Sequence, residues 1–348
     1  MAKLAGVSEA TVSRVMNKVG PIKEETRVRV LAAAEQLGYE PNALAQQFAR
    51  KKSGNIGVIV PFMPKVHLFS TYYFAEILSG IGEVAKRYDY NLLLIFQEQD
   101  DPRDYAKLFR TQKIDACIIL GSQNIPEERQ ALAALKQGGY PFCLVNQQFI
   151  EEDYMVVDAD HREGSLAVMQ HLLLQGRRRI AFLNGPDVFS SSIDRLEGYQ
   201  RALNDAGIVY DKRLIYEGNY SRKSGYQASA AISELVKNGD IDAIFAANDR
   251  MAIGLMDGLR EQGIEAGRDV GLVGYDDSDG SRIVSPKLST VAVPFYEMGR
   301  IAALRLLAPD QENNSNITAM QSKDENVEQQ TWLLPVHFAQ RESSEIPN

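Results

Sequence analysis

The chain has 348 residues, enough for two or three compact units with covered cores, and its 45% apolar and 24% charged residues are ordinary for a globular protein. No apolar run approaches the roughly 18 residues that a membrane span needs, and no export signal opens the chain, so a cytoplasmic protein without a membrane partner is expected. The net charge of −8 argues against nucleic acid only on average: residues 1–52 hold nine basic against five acidic side chains, so a small head of charge +4 precedes a strongly acidic body. The two cysteines, Cys117 and Cys143, each sit inside a short apolar run and read as reduced, buried thiols.

The head reads as short helices. Gly6, Val7 and Ser8 form a turn whose serine can cap a helix running through Thr11, Val12, Ser13, Arg14, Val15 and Met16. A further helix is predicted over 24–37, with acids in its first turn, apolar Val28, Leu31 and Leu37 at helical spacing, and Gly38 as its stop. Pro41 breaks the chain, Asn42 can cap a short segment over 43–50, and Lys51 to Gly54 reads as a polar linker.

From Asn55 onward short apolar strands alternate with longer helical stretches. Strands are predicted at 56–60, 92–95, 116–120, 142–145, 155–157, 180–183, 243–246, 270–273 and 290–293. Helices at 74–88, 162–175, 196–206, 224–237 and 250–262 separate many of them. This alternation implies parallel sheets with helices on both faces, and the strands are too many for one sheet. Two similar lobes meeting near Asp158 are expected, with any ligand in the cleft at the carboxyl ends of the strands. The polar, acidic stretch 310–330 reads as a mobile surface insertion, after which strand-like residues around Pro335 return to the core. The C-terminal stretch shows no heptad pattern for a tetramer-forming coil.

In a helix-turn-helix the second helix enters the major groove of DNA. Spacing turns Val12, Val15 and Met16 inward and leaves Glu9, Ala10, Ser13 and Arg14 toward the groove. Arginine donates two parallel hydrogen bonds to guanine, a contact contributing about 1–3 kcal/mol of base discrimination. Glu9 can accept from cytosine or serve as first-turn helix charge. Catalytic signatures are absent: there is no glycine-rich phosphate loop with lysine, no nucleophile elbow and no metal-ligand spacing. His67, His161, His171 and His337 are scattered, although His67 precedes an aromatic cluster.

The run from Ala2 through Ser8 to Asn17, and the run from Gly38 through Asn42 to Ala45, closely resemble the head of the lactose-repressor (LacI/GalR) family of regulators. The likeness extends to Arg341-Glu342-Ser343-Ser344. The resemblance implies an all-α helix-turn-helix head on an α/β, periplasmic-binding-protein-like core of two doubly wound parallel-sheet lobes. It divides the chain into a head (1–41), a hinge helix with linker (42–54), and two lobes. The first lobe is 55–158 plus about 290–325; the second is 159–289 plus about 326–341. DNA-contacting positions are then Ser8, Glu9, Ala10, Thr11, Ser13, Arg14 and Asn17, with Asn42, Ala45 and Phe48 in the hinge. Phe48 stands where relatives usually insert a leucine between base pairs, and a phenyl ring is a competent wedge or a packing residue. The chain also lacks several residues that begin the first helix in relatives, so either its start lies upstream or the head is weakened.

The resemblance further implies a ligand cleft lined by Tyr73, Phe74, Arg195, Tyr220, Asn248 and Asp276. Tyr73 and Phe74 equally suit helix-start packing, Asp249 a helix cap, and Asp277 a turn. Carboxylate, amide and guanidinium groups with aromatic faces suit a sugar. The expected protein is a homodimeric repressor on a pseudo-palindromic duplex, governed by a small-molecule effector and needing no cofactor. A solute-binding protein without a DNA role is the alternative, which the basic head and missing export signal disfavour.

Overall fold

The computed structural model describes residues 1–17, 20–39, 52–63, 68–309, 320–321 and 331–345. Three helices build the head: α1 (Ala2–Ala5), α2 (Glu9–Met16) and α3 (Glu24–Gln36). Ala5, Val15, Val30 and Ala33 form its small core, with Val7, Val12 and Met16 packed against it. The apolar residues whose spacing marked α3 in the sequence, Val28, Leu31 and Leu37, are exposed, and Val30, Ala33 and Ala34 are buried instead. A core this small closes over valine and alanine, and the bulkier side chains are left on the rim.

The first lobe opens with β1 (Asn55–Pro61), α4 (Tyr72–Arg87), β2 (Asn91–Gln97), α5 (Tyr105–Arg110), β3 (Ala116–Leu120), α6 (Pro126–Gln137), β4 (Phe142–Val145) and β5 (Val156–Ala159). The chain then crosses into the second lobe through α7 (His161–Leu174), β6 (Ile180–Asn184), α8 (Ser190–Asp205), β7 (Ile215–Glu217), α9 (Arg222–Lys237), β8 (Ala243–Ala246), α10 (Asp249–Glu261), β9 (Gly271–Val273), α11 (Asp279–Ile283) and β10 (Thr290–Ala292). It closes with α12 (Phe295–Leu307), β11 (Met320–Gln321), β12 (Thr331–Leu334) and β13 (His337–Ala339).

The first sheet has the order β11-β12-β5-β4-β3-β1-β2, parallel except at β11; the second is β7-β6-β8-β9, parallel throughout. Parallel strands covered on both faces must be apolar on both, and β1, β3 and β4 are accordingly near-continuous apolar runs. Val58, Val60, Ile118 and Leu120 face α4 and α12, while Ile59, Cys117, Ile119 and Leu144 face α5 and α6. Helices α4 and α12 approach backbone to backbone at Gly80 and Gly299, where any Cβ would collide with the carbonyl of Tyr296 or of Ile77.

Three boundaries differ from the sequence reading. Thr331–Leu334 belongs to the first lobe, because β12 is the parallel neighbour that covers the edge of β5. Thr290–Ala292 belongs to the second, pairing antiparallel with His337–Ala339 and bridging alongside the end of β9. The expected linker ends early: Ser53 and Gly54 are fixed to the body, their N–H groups donating to the Asp115 carboxylate at 2.7 and 2.8 Å.

Candidate functional site

Helix α2 begins at Ser8, whose Oγ accepts the Thr11 N–H at 3.2 Å and lies 2.9 Å from the Thr11 hydroxyl. Glu9, Ala10, Ser13 and Arg14 share one exposed face, as their spacing predicts, opposite buried Val15. Asn17 ends the helix, its amide donating to Ser13 Oγ at 3.2 Å. Ser8 and Thr11 are thus occupied in capping one another, whereas the Arg14 side chain stands in solvent. Asn42, Ala45 and Phe48 lie outside the described residues, as does His67.

The carboxyl ends of the two parallel sheets face each other, and the loops beyond them touch. Asn124 N–H donates to the Val188 carbonyl at 2.8 Å, Gln148 N–H to Ser190 Oγ at 2.9 Å, and Ser190 N–H to Gln147 Oε1 at 3.1 Å. Between them sits Arg195 on α8, 3% exposed. Its Nη1 donates to the Ala247 carbonyl at 2.7 Å, its Nη2 lies 3.3 Å from His161 Nδ1, and its guanidinium is 4.0 Å from the Tyr275 ring centroid. Its Nε is buried without a partner.

His161 was passed over in the sequence as one of four scattered histidines, yet it joins the lobes. Its Nε2 lies 2.8 Å from Asn146 Oδ1 and 3.5 Å from Asp158 Oδ1, and its Nδ1 lies 3.3 Å from the Tyr275 hydroxyl. Guanidinium can only donate, so Nδ1 must accept and the proton sits on Nε2. Burial, and then the Arg195 charge beside it, hold its pKa below the ordinary histidine value, consistent with a neutral ring. Asp158 is buried too. Hydrogen bonds from His161, Gln148 Nε2 (2.7 Å) and the Ala159 N–H (2.8 Å) outweigh that burial and keep it ionised.

Asp276 projects from the loop after β9 with φ at 110°, its N–H tied to the Val291 carbonyl at 2.8 Å. No described residue hydrogen-bonds its half-buried carboxylate. Burial raises its pKa well above the usual carboxylate range, with the Asp249 charge adding to the rise and Arg195 and Arg250 opposing it. Tyr73 meets Phe295 edge-on at 5.1 Å, and its phenol is raised by burial and by the charges of Asp158 and Asp276. Tyr220, at φ 63°, lies 2.5 Å from Ser192 Oγ and meets Phe189 at 5.8 Å.

Of the expected cleft residues, one is turned inward and one is engaged at the edge of the cleft. Phe74 is buried in the first lobe's core, because the turn of α4 that aims Tyr73 at the cleft aims its neighbour inward. Asn248 is the cap of α10, not Asp249: its Oδ1 accepts the Met251 N–H at 2.9 Å and its Nδ2 donates to the Tyr220 carbonyl at 3.1 Å. Both ends of that amide are engaged, so its part is to hold Tyr220. Asp249, fully buried, accepts from the Ser278 N–H, the Ser278 hydroxyl and the Thr290 hydroxyl. Asp277 pairs with Arg282 at 2.7 Å and Arg341 at 2.5 Å. His161, Asp158, Tyr275 and Phe295 are the residues that reading by motif missed. The one local cue was a histidine three positions after an aspartate, at the crossing between lobes.

Residues 1–42 match the family model described as "Bacterial regulatory proteins, lacI family", and residues 169–344 match that of a "Periplasmic binding protein-like domain". The chain is 32% identical over 310 residues to catabolite control protein A of Priestia megaterium, covering 88% of this chain and 90% of that protein. Its fold is similar to that of the lac repressor dimer bound to operator and the anti-inducer ONPF, with TM-score 0.79, 27% identity, and 99% and 97% of the two chains covered. It is also similar to a CelR–cellobiose complex, with TM-score 0.72, 29% identity and 98% of each chain covered. A head of this kind on a two-lobed core sets aside the reading as a solute-binding protein. The chain belongs to the LacI family of bacterial regulatory proteins, transcription regulators that bind DNA.

Proposed function

We propose that this regulator is a repressor that grips a pseudo-palindromic operator as a homodimer and reads a sugar in the cleft between its lobes. Arg14 leads base readout from the exposed face of α2, with Glu9, Ala10 and Ser13 beside it and Asn17 at its end; Ser8 and Thr11 set the helix against the backbone. Asn42, Ala45 and Phe48 are proposed as the minor-groove contacts. In the cleft, Arg195 and Asp276 take the effector's oxygens, with Tyr73 and Tyr220 at its apolar faces. The observation that carries this reading is the pair Arg195, on α8, and Asp276, in the loop after β9, two ionisable groups drawn out of water beside the carboxyl ends of the parallel strands with hydrogen-bonding capacity left over. The relative solved with cellobiose supports the sugar class.

The dimer uses the edge of the first sheet. Strand β2 leaves Leu92, Leu93 and Phe96 exposed, and Phe62 meets Phe96 at 6.1 Å, an apolar edge suited to a second copy. Ligand shifts one lobe against the other and alters the spacing of the paired hinges; a differential affinity of about 1–3 kcal/mol is a sufficient switch. The chain needs no cofactor and performs no catalytic step in this scheme, and it works in the cytoplasm. No helix among the described residues is long and apolar enough to cross a membrane. Selection of operators from random duplexes, followed by mobility-shift assays across a salt series, tests the scheme. Palindrome-preferring, salt-sensitive binding is expected; binding that ignores sequence overturns it.

A further inference from the structure

We infer that Glu128 ties the position of the second lobe to the edge of the first sheet at β2, and that Arg103 is the positioning residue that carries this tie into the loop after β2. The inference rests on the reading above, in which lobe position governs DNA binding, and names a route through the first lobe.

Glu128, in the first turn of α6, is 3% exposed. The helix does not need it there, because Glu127 in the same turn is exposed and already suits the positive end of the helix. Packing does not need it either. An apolar side chain would fill this place beside Tyr105, at the end of the layer of Ile119, Leu132 and Leu135, without the cost of taking a charge out of water. What the carboxylate does is gather three segments. Its Oε2 accepts Arg103 Nε at 2.8 Å and the Tyr105 hydroxyl at 2.9 Å, and its Oε1 accepts the Ser122 hydroxyl at 2.8 Å.

Those segments lead in opposite directions. Ser122 belongs to the loop after β3, whose Asn124 N–H donates to the Val188 carbonyl of the second lobe at 2.8 Å. Arg103 closes the loop after β2: its Nη1 donates to the Gln99 carbonyl at 3.4 Å, and Gln97 Nε2 donates to the Glu98 and Asp101 carbonyls at 3.0 Å. The Gln97 carbonyl accepts the Phe62 N–H at 2.8 Å, beside the contact of Phe62 with Phe96. The contacts of Gln147 and Gln148 with Ser190 follow β4, which β3 and β1 separate from β2 in the sheet. Glu128 bypasses those strands. A displacement of the loop after β3 moves the carboxylate, and through Arg103 and Tyr105 it moves the loop that ends β2.

The test uses the full-length chain carrying Asn124→Cys and Val188→Cys, whose backbones meet between the lobes, so that the lobes are joined without any effector. The bridge is made by oxidation or with dibromobimane and verified by mass; Cys117 and Cys143 are fully buried and stay outside this chemistry. Mobility shifts on the selected operator give the ratio of affinities between the bridged and reduced forms, expected to differ at least fivefold. Adding Arg103→Met is expected to bring that ratio within twofold of one, and Arg103→Lys, which keeps a cation facing Glu128, to restore it. Tyr105→Phe, which removes a single hydroxyl and is the milder cut, is expected to reduce the ratio partway. Melts of the reduced variants separate coupling from folding. Variants of lowered melting temperature that keep the parent's ratio overturn the inference and leave the reading of lobe position standing. A ratio of one in the parent overturns both.

Discussion

Arg14 and His161 show how differently two single residues can be argued. Arg14 is exposed on α2 with no described partner in an ion pair, so its contribution is to whatever the helix meets. Arg14→Ala is expected to weaken the selected operator by about 10- to 100-fold, the equivalent of about 1–3 kcal/mol, while binding to random duplex changes far less. Mobility shifts at fixed salt measure both; equal losses on the two duplexes would reduce Arg14 to a phosphate contact. His161 is the reverse, a group with all its capacity spent inside. Its folded pKa lies below that of the unfolded chain, so the unfolded state binds the extra proton. Stability contributed by the neutral ring is present above about pH 6.5 and falls as the pH drops below it. Melts between pH 7.5 and 5.5 are expected to show that fall, and His161→Gln, which keeps a donor toward Asn146, to show a shallower one. Arg195 and Asp276 were legible as charges too costly to bury idle. His161 was not, since its partners Asn146, Asp158, Arg195 and Tyr275 come from separate segments brought together only by the fold.

At the scale of elements, the strands read most plainly are ones buried on both faces, such as Ala116–Leu120 and Ala243–Ala246, whose unbroken apolar runs leave no other solution. Short, partly exposed strands escaped: Ile215–Glu217 has no alternation to read, and the lobe to which Thr331–Leu334 belongs is decided by pairing with Val156–Ala159, far away in sequence. The same long-range logic converts a polar linker into an anchored one. Asp115, just before β3, takes the Ser53 and Gly54 N–H groups and so sets the direction in which the chain leaves β1 toward the head. Asp115→Ala leaves both donors without that acceptor. A stability loss of about 1.5–3 kcal/mol in urea unfolding is expected, the usual magnitude for hydrogen bonds to a charged group. Operator affinity is expected to fall further than random-duplex affinity, because a loosened exit lets the two heads of a dimer lose their register. Unchanged operator binding at reduced stability would confine Asp115 to a structural part.

For the whole molecule, the basic head and acidic body impose a requirement that neither meets alone. A head whose core amounts to Ala5, Val15, Val30 and Ala33 presents few base contacts, and affinity for an operator comes from coupling two of them. That coupling runs through the body, and the body's exposed apolar edge is β2, where Phe96 is 48% exposed beside Phe62. A second copy laid against this edge buries what water now touches; a charge placed there makes that burial unfavourable. Phe96→Glu is therefore expected to shift the protein from dimer to monomer in sedimentation at micromolar concentration, with the monomer's melting temperature nearly intact because the side chain supports no core. Operator binding should then drop at least 100-fold, while sugar binding, confined to the cleft of one chain, stays within a few-fold of its original value. Loss of operator binding in a variant that remains dimeric would break the link between β2 and the DNA-bound state, and a dimer that persists with full operator affinity would move the interface to another face.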